Sequence, residues 1–148
     1  MKKAITRIFL LTAAFATVGF NASQVEAQSV KCFDVSSRQG WQYFDLGGPY
    51  TRVAGVSGGW SVDARNYSRV GPRGHSEAGL EPYNQYKYDQ GMPFGALFVD
   101  VPTDGYGYVW VQGSQQLPRP ITRTAMRIND ADNALGDNSG VLQVCFSR

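Results

Sequence analysis

The stretch "TAMRINDADNALGDNSGVLQVCF", from Thr124 to Phe146, decides how this chain folds. Two strand-like runs, Thr124–Ile128 and Val141–Phe146, bracket an acidic loop of small and turn-forming residues. Helices on either side would suggest an EF-hand, but the flanks are strand-like. The spacing is wrong as well: with Asp130 as first position, Leu135 stands where the turn glycine belongs and Val141 where the bidentate glutamate belongs. Comparable runs recur at Val30–Val35, Trp41–Leu46, Tyr50–Val56, Phe94–Val101 and Gly107–Gly113, separated by Gly, Pro, Asn and Asp. No segment sustains a helical period. Seven or eight short strands define an all-β chain, a sandwich or a barrel. Residues 73–93 are the exception, a polar stretch too long for a hairpin connection and rich in Tyr, Asn and Gln.

The N-terminus carries a different message. Lys2, Lys3 and Arg7 precede the apolar run Ile8–Phe20, which leads to the small-residue exit Val25-Glu26-Ala27. This is the pattern of a secretory signal peptide over residues 1–27, leaving 28–148 as a single domain, exported to the periplasm or the extracellular space. The apolar run is shorter than the roughly 20 residues a membrane span needs, so the mature chain is expected to have no span. The whole sequence has 14 Lys+Arg and 12 Asp+Glu; without the leader, eleven of each remain. A neutral domain with no basic cluster lacks the electrostatic footprint of nucleic-acid binding.

Cys32 and Cys145, the two cysteines, lie in the first and last strand runs. In an oxidising compartment they are expected to form one disulfide, with a pair of buried thiols as the alternative. No Cys or His spacing suggests zinc.

The acidic loop admits two readings. Asp130, Asp137 and Asn138 could converge with a backbone carbonyl such as that of Ala134, Gly136 and Gly140 allowing sharp turns, into the oxygen cage that calcium favours. Alternatively, Asp and Asn simply cap their own backbone amides in a solvated turn.

The motif Asn129-Asp130 followed by Gly136-Asp137-Asn138-Ser139-Gly140 resembles the calcium loop of the PA-I galactophilic lectins, small calcium-dependent bacterial lectins. "SGGWSVD" (Ser57–Asp63), "VGPRG" (Val70–Gly74) and "FGALF" (Phe94–Phe98) extend the similarity from about Gly40 to Phe146. The resemblance implies a jelly-roll β-sandwich of the galactose-binding-domain-like kind. It also implies Ca2+ held by the side chains of Asp130, Asp137 and Asn138 and by the carbonyls of Ala134 and Asp63. Two vicinal sugar hydroxyls would complete the coordination, so the implied partner is a carbohydrate, galactose-like in the family. Asp137 stands where the family has Asn, and the family's His and Gln sugar contacts do not align; Ala78 occupies the expected His position.

The remaining candidates have bland readings beside functional ones. His75, the sole histidine, is either a solvated surface residue or a ligand contact. Gln85 and Tyr86, with Tyr83, Asn84 and Tyr88, either form a sugar platform or fold back to close the sandwich. Trp41, Trp60 and Trp110 read as core. The carbohydrate contacts are thus expected to be Asp130, Asp137, His75, Gln85 and Tyr86. No nucleophile motif or marked carboxylate pair supports an enzyme. The competing function is a calcium-stabilised structural or interaction protein of the cell envelope that binds no sugar; the pattern leaves an oligomer open.

Overall fold

A computed structural model describes residues 29–102 and 107–148; the expected leader, 1–27, lies outside the described residues. Among the described residues six strands run in chain order: β1 (Val30–Ser36), β2 (Gln42–Ser61), β3 (Leu97–Asp100), β4 (Tyr108–Val111), β5 (Gln115–Ile128) and β6 (Ser139–Ser147). They form an antiparallel array in the order β1-β6-β2-β5-β3-β4. The chain is therefore all-β.

The expected strands Trp41–Leu46 and Tyr50–Val56 are one element, β2, instead of two. Gly47-Gly48-Pro49 does not end the strand but shifts its register on β5 between Asp45 and Tyr50. A bulge of this kind bends a strand without terminating it. The bend lets β2 serve two partners: Gln42–Asp45 pair with β5, whereas Gly55–Ser61 pair with β6. The array consequently folds over on itself in a sandwich-like way. Phe33 of β1 lies 4.9 Å from the Phe44 ring on the first half of β2 and 6.3 Å from Phe146 of β6. β5 begins earlier than its apolar run suggested, despite Pro118 and Pro120. Between the Tyr50–Ile121 and Arg52–Gln116 pairs its ladder skips several residues, and both prolines fall in that gap, where no ladder N–H is required.

The core comes from alternate residues on these strands. Val35, Val53, Trp60, Leu97, Val99, Met126, Ile128, Leu142, Val144 and Phe146 are all fully buried. Each large apolar side chain so placed contributes about 1.5–3 kcal/mol. Trp60 is core as expected, its Nε1 donating to the Gly95 carbonyl at 2.7 Å. Trp41 and Trp110 are only half-buried. Trp41 lies beyond the start of β2 against Arg127 on the outer face, and Trp110 donates to the Pro72 carbonyl at 3.3 Å.

Cys32 and Cys145 face each other in register between β1 and β6 and are joined by a disulfide. No described helix is long and apolar enough to cross a membrane. The polar stretch 73–93 is more ordered than its composition suggested: Ala78–Tyr86 form 3-10 turns, anchored by the buried Leu80. Gly74 starts this excursion at φ +82°, and a Cβ there would meet the Phe94 carbonyl at 2.4 Å, so only glycine fits.

Candidate functional site

Residues after β5 turn back at the end of the array, and two buried side chains hold them. Asn129, fully buried, accepts a hydrogen bond from the Asp89 backbone N–H at 2.8 Å and donates to the carbonyls of Asp89 and Pro93, each at 2.9 Å. The Ala131 N–H donates to the Tyr86 carbonyl at 2.7 Å. Together these bonds clamp the end of the 3-10 segment onto the acidic loop. Arg127 acts from the other side, donating to the Asp130 carbonyl at 2.6 Å and the Asp132 carboxylate at 2.8 Å. The loop is thus held both at its backbone, through Asp130 and Ala131, and at the side chains of Asn129 and Asp132.

Asp130 is 2 % exposed. Its Oδ1 accepts from the Ala131 N–H at 3.0 Å, and its Oδ2 from the Asn138 side-chain amide at 2.9 Å. Burial pushes its carboxyl up to about 7, with the Asp137 carboxylate adding to the rise, while the bonds from Asn138 and Ala131 and the nearby Arg127 oppose it. The protein thus keeps an acid where an anion is costly. Asn138 is fully buried, and its amide nitrogen also donates to the Ser37 carbonyl at 2.9 Å. Because both neighbours of that nitrogen are acceptors, the amide orientation is determined. Its Oδ1 then has no hydrogen-bond partner among the described residues. An orphaned buried amide oxygen costs about 1–3 kcal/mol unless something electropositive meets it.

Asp63 is placed differently. Its carboxylate caps the following turn, accepting from the Arg65 and Asn66 backbone N–H groups and from the Asn66 side chain at 2.6 Å, and the Asn66 bond leads in holding its carboxyl below the usual range against burial. Its carbonyl already accepts the Tyr67 N–H and the Ser61 hydroxyl, each at 3.0 Å. Among the described residues, no three His, Cys, Asp or Glu side chains cluster as a metal site. The oxygen groups near one another here are the Asp130 and Asp137 carboxylates and the Asn138 side-chain amide, groups of the hard-oxygen type that calcium takes.

Asp63, Asp130, Ala134 and Asp137 line one cavity of about 640 Å³, which they share with Tyr86. Val62, Tyr67, Leu80, Tyr83 and Phe94 add apolar and aromatic surface to the same lining. Tyr83 and Tyr86 are 51 % and 43 % exposed, so their rings remain accessible. Gln85, although exposed on the same 3-10 segment, does not line the cavity. Sequence reasoning missed Tyr67, Leu80 and Phe94, whose apolar character signals core unless the fold is known.

Nor does His75 line the cavity, and it is not a solvated surface residue. It is 6 % exposed, with Nδ1 against Glu77 Oε2 at 3.2 Å and its ring 5.9 Å from that of Tyr67. Burial pulls the imidazole below its ordinary pKa, with Glu77 acting in the opposite sense. At pH below about 6.5 the unfolded chain takes up a proton that the folded chain resists, so His75 erodes stability as pH falls. His75→Asn should therefore cost less stability at pH 5 than at pH 7.5 in urea unfolding. A difference from the parent that is independent of pH would refute this.

Gly140, at φ +99°, lets β6 pass β2 beside Asn138; a Cβ there would lie 2.2 Å from the Gly59 carbonyl. Its role is close approach of strands. Gly136, expected to permit a sharp turn, lacks positive φ and has open space around its Cβ position. Comparison with protein-family models finds no match, and comparison with curated protein sequences finds none at the threshold used.

Proposed function

We propose that this protein is an exported, calcium-dependent carbohydrate-binding protein, a jelly-roll sandwich of the PA-I lectin kind. The observation that carries this reading is the fully buried Oδ1 of Asn138, without a partner among the described residues; Asn138 does not itself line the cavity, but its amide nitrogen bonds the carboxylate of Asp130, which lines it with Asp137. Asp130, Asp137 and Asn138 would hold the ion with the Ala134 carbonyl; the Asp63 carbonyl would have to share its existing bonds. Bound calcium supplies exchangeable positions that two vicinal hydroxyls can fill. Asp130 and Asp137 accept the hydroxyl protons as charge-assisted hydrogen bonds. Tyr83 and Tyr86, both lining the cavity and exposed, offer aromatic surface to the apolar C–H side of a pyranose, while the carboxylates meet its hydroxyls.

Calcium that binds the native state alone stabilises it by about 2.7 kcal/mol at 100 times its Kd. Chelator should accordingly lower Tm, and Asp130→Ala should abolish that response. Multivalent glycan binding, with single-site Kd near about 1 mM, should disappear in chelator and return with calcium. Identical melting in calcium and chelator, with no heat of calcium binding, would refute the cage. Calcium-linked melting without glycan retention would leave the envelope-scaffold reading.

A further inference from the structure

The outer face of the β2–β5–β3 portion carries an aromatic surface that the cavity above does not use. Strand alternation puts Trp41, Tyr43 and Asp45 on one side along β2 and its lead-in, with Tyr43 in register with Ala125 and Asp45 with Arg123. Arg127 lies on the same face, in register with Phe98, and Asp100 follows Phe98 two residues along β3. Trp41 packs edge-on against Tyr88 at 5.8 Å and lies 5.8 Å from Tyr108. Its Nε1 donates to the Tyr88 hydroxyl at 3.3 Å, and the Tyr108 hydroxyl donates to Asp89 at 2.8 Å. These rings are pinned, and Tyr88 remains 42 % exposed.

Tyr43 is 82 % exposed and makes no hydrogen bond or ring contact among the described residues. It needs no such exposure to form a strand, and Ala125 opposite offers its ring nothing to lean on. Beyond it opens a groove of about 890 Å³ lined by Asp45, Asp100, Thr122 and Arg123. From Trp41 to Asp45 the surface extends about 13 Å at roughly 3.3 Å per residue, enough to seat more than one sugar ring. Asp45 and Asp100 set two carboxylates against the one guanidinium of Arg123, so the groove disfavours anionic partners. Its polar groups suit hydroxyls, which both donate and accept.

We propose that this face is a second binding site, independent of metal, for a neutral pyranose chain. Tyr43, which lines the groove, stacks on a sugar ring, and Asp45, Asp100 and Arg123 bond the hydroxyls. Pyranoses with equatorial hydroxyls fit best, since they present flat C–H faces to aromatic rings.

Native affinity electrophoresis of the full chain tests it, in gels containing hydroxyethyl cellulose, xylan or galactomannan, with chelator throughout. Wild type should be retarded in at least one gel, and Asp130→Ala equally so. Tyr43→Ala should weaken retardation by about fivefold to tenfold, the share of one stacking ring, while Tyr43→Phe should retain it. Because Tyr43 is so exposed, Tyr43→Ala should melt with wild type. Absence of retardation of folded wild type in all three gels overturns the proposal, as does equal retardation of Tyr43→Ala. Tyr43-dependent self-association in sedimentation, without glycan retardation, also overturns it and assigns the face to a second copy of the chain. None of these outcomes depends on calcium binding.

Discussion

Replacing both Cys32 and Cys145 by serine is expected to lower Tm by about 10–20 °C, the largest effect of any change considered. The bond closes a loop spanning 113 residues, which in the chain-entropy model stabilises by about 4–5 kcal/mol, acting through the unfolded chain. β1 adds to this dependence. It lies at the end of the array, with β6 as its strand partner, and covers Phe44 through Phe33. Without the bond, β1 rests on its ladder and on Phe33, and its detachment would open one side of the core. Calorimetry of the double variant beside the oxidised parent provides the measurement. Coincident melting curves would show that the ladder holds β1 without covalent help.

Arg127→Met should destabilise by about 2–4 kcal/mol and weaken whatever binds at the acidic loop. Arg127 is 1 % exposed, yet its guanidinium lies 3.8 Å from the Tyr88 ring centre and donates to Ile128, Asp130 and Asp132. Methionine approximates its length, so the cavity left is small. What remains is the Asp130 carbonyl, deprived of its short bond, at about 1–3 kcal/mol, together with lost cation–π contact. The full 3–5 kcal/mol of a broken buried ion pair does not apply, because Asp132 is 74 % exposed and water takes over its solvation. Arg127→Lys should recover only part of the loss, since an ammonium cannot bond several acceptors in one plane while stacking on Tyr88. Urea unfolding that shows less than about 1 kcal/mol for Arg127→Met would mean the loop holds itself.

Strand identity was legible from neighbouring residues. β1, β3, β4 and β6 follow the apolar, β-branched and aromatic runs, because strand preference is expressed in residues one and two positions apart. The cysteine pairing was the arrangement expected for an oxidising compartment, and the structure decides it over two buried thiols. The acidic loop could be recognised as a group of oxygen donors, and Asp130, Ala134, Asp137 and Tyr86 do meet at one cavity. The continuity of β2 through Gly47–Pro49 was not legible. Glycine and proline mark an ended strand and a bulged one alike, and the distinction lies in which partner waits on either side.

The sequence by itself determined the all-β character and the oxygen-rich chemistry of residues 130–138, and it placed the two cysteines in the first and last strands. Tertiary structure alone decided that His75 is buried, that Gln85 does not line the cavity, and that Asn129 ties the acidic loop to a segment 40 residues earlier. It also decided that the Asn138 amide oxygen has no partner among the described residues. The physical reason is the same for each. A polar side chain is defined by which distant donors, acceptors and apolar surfaces surround it, and that company is assembled only when strands remote in the chain are paired.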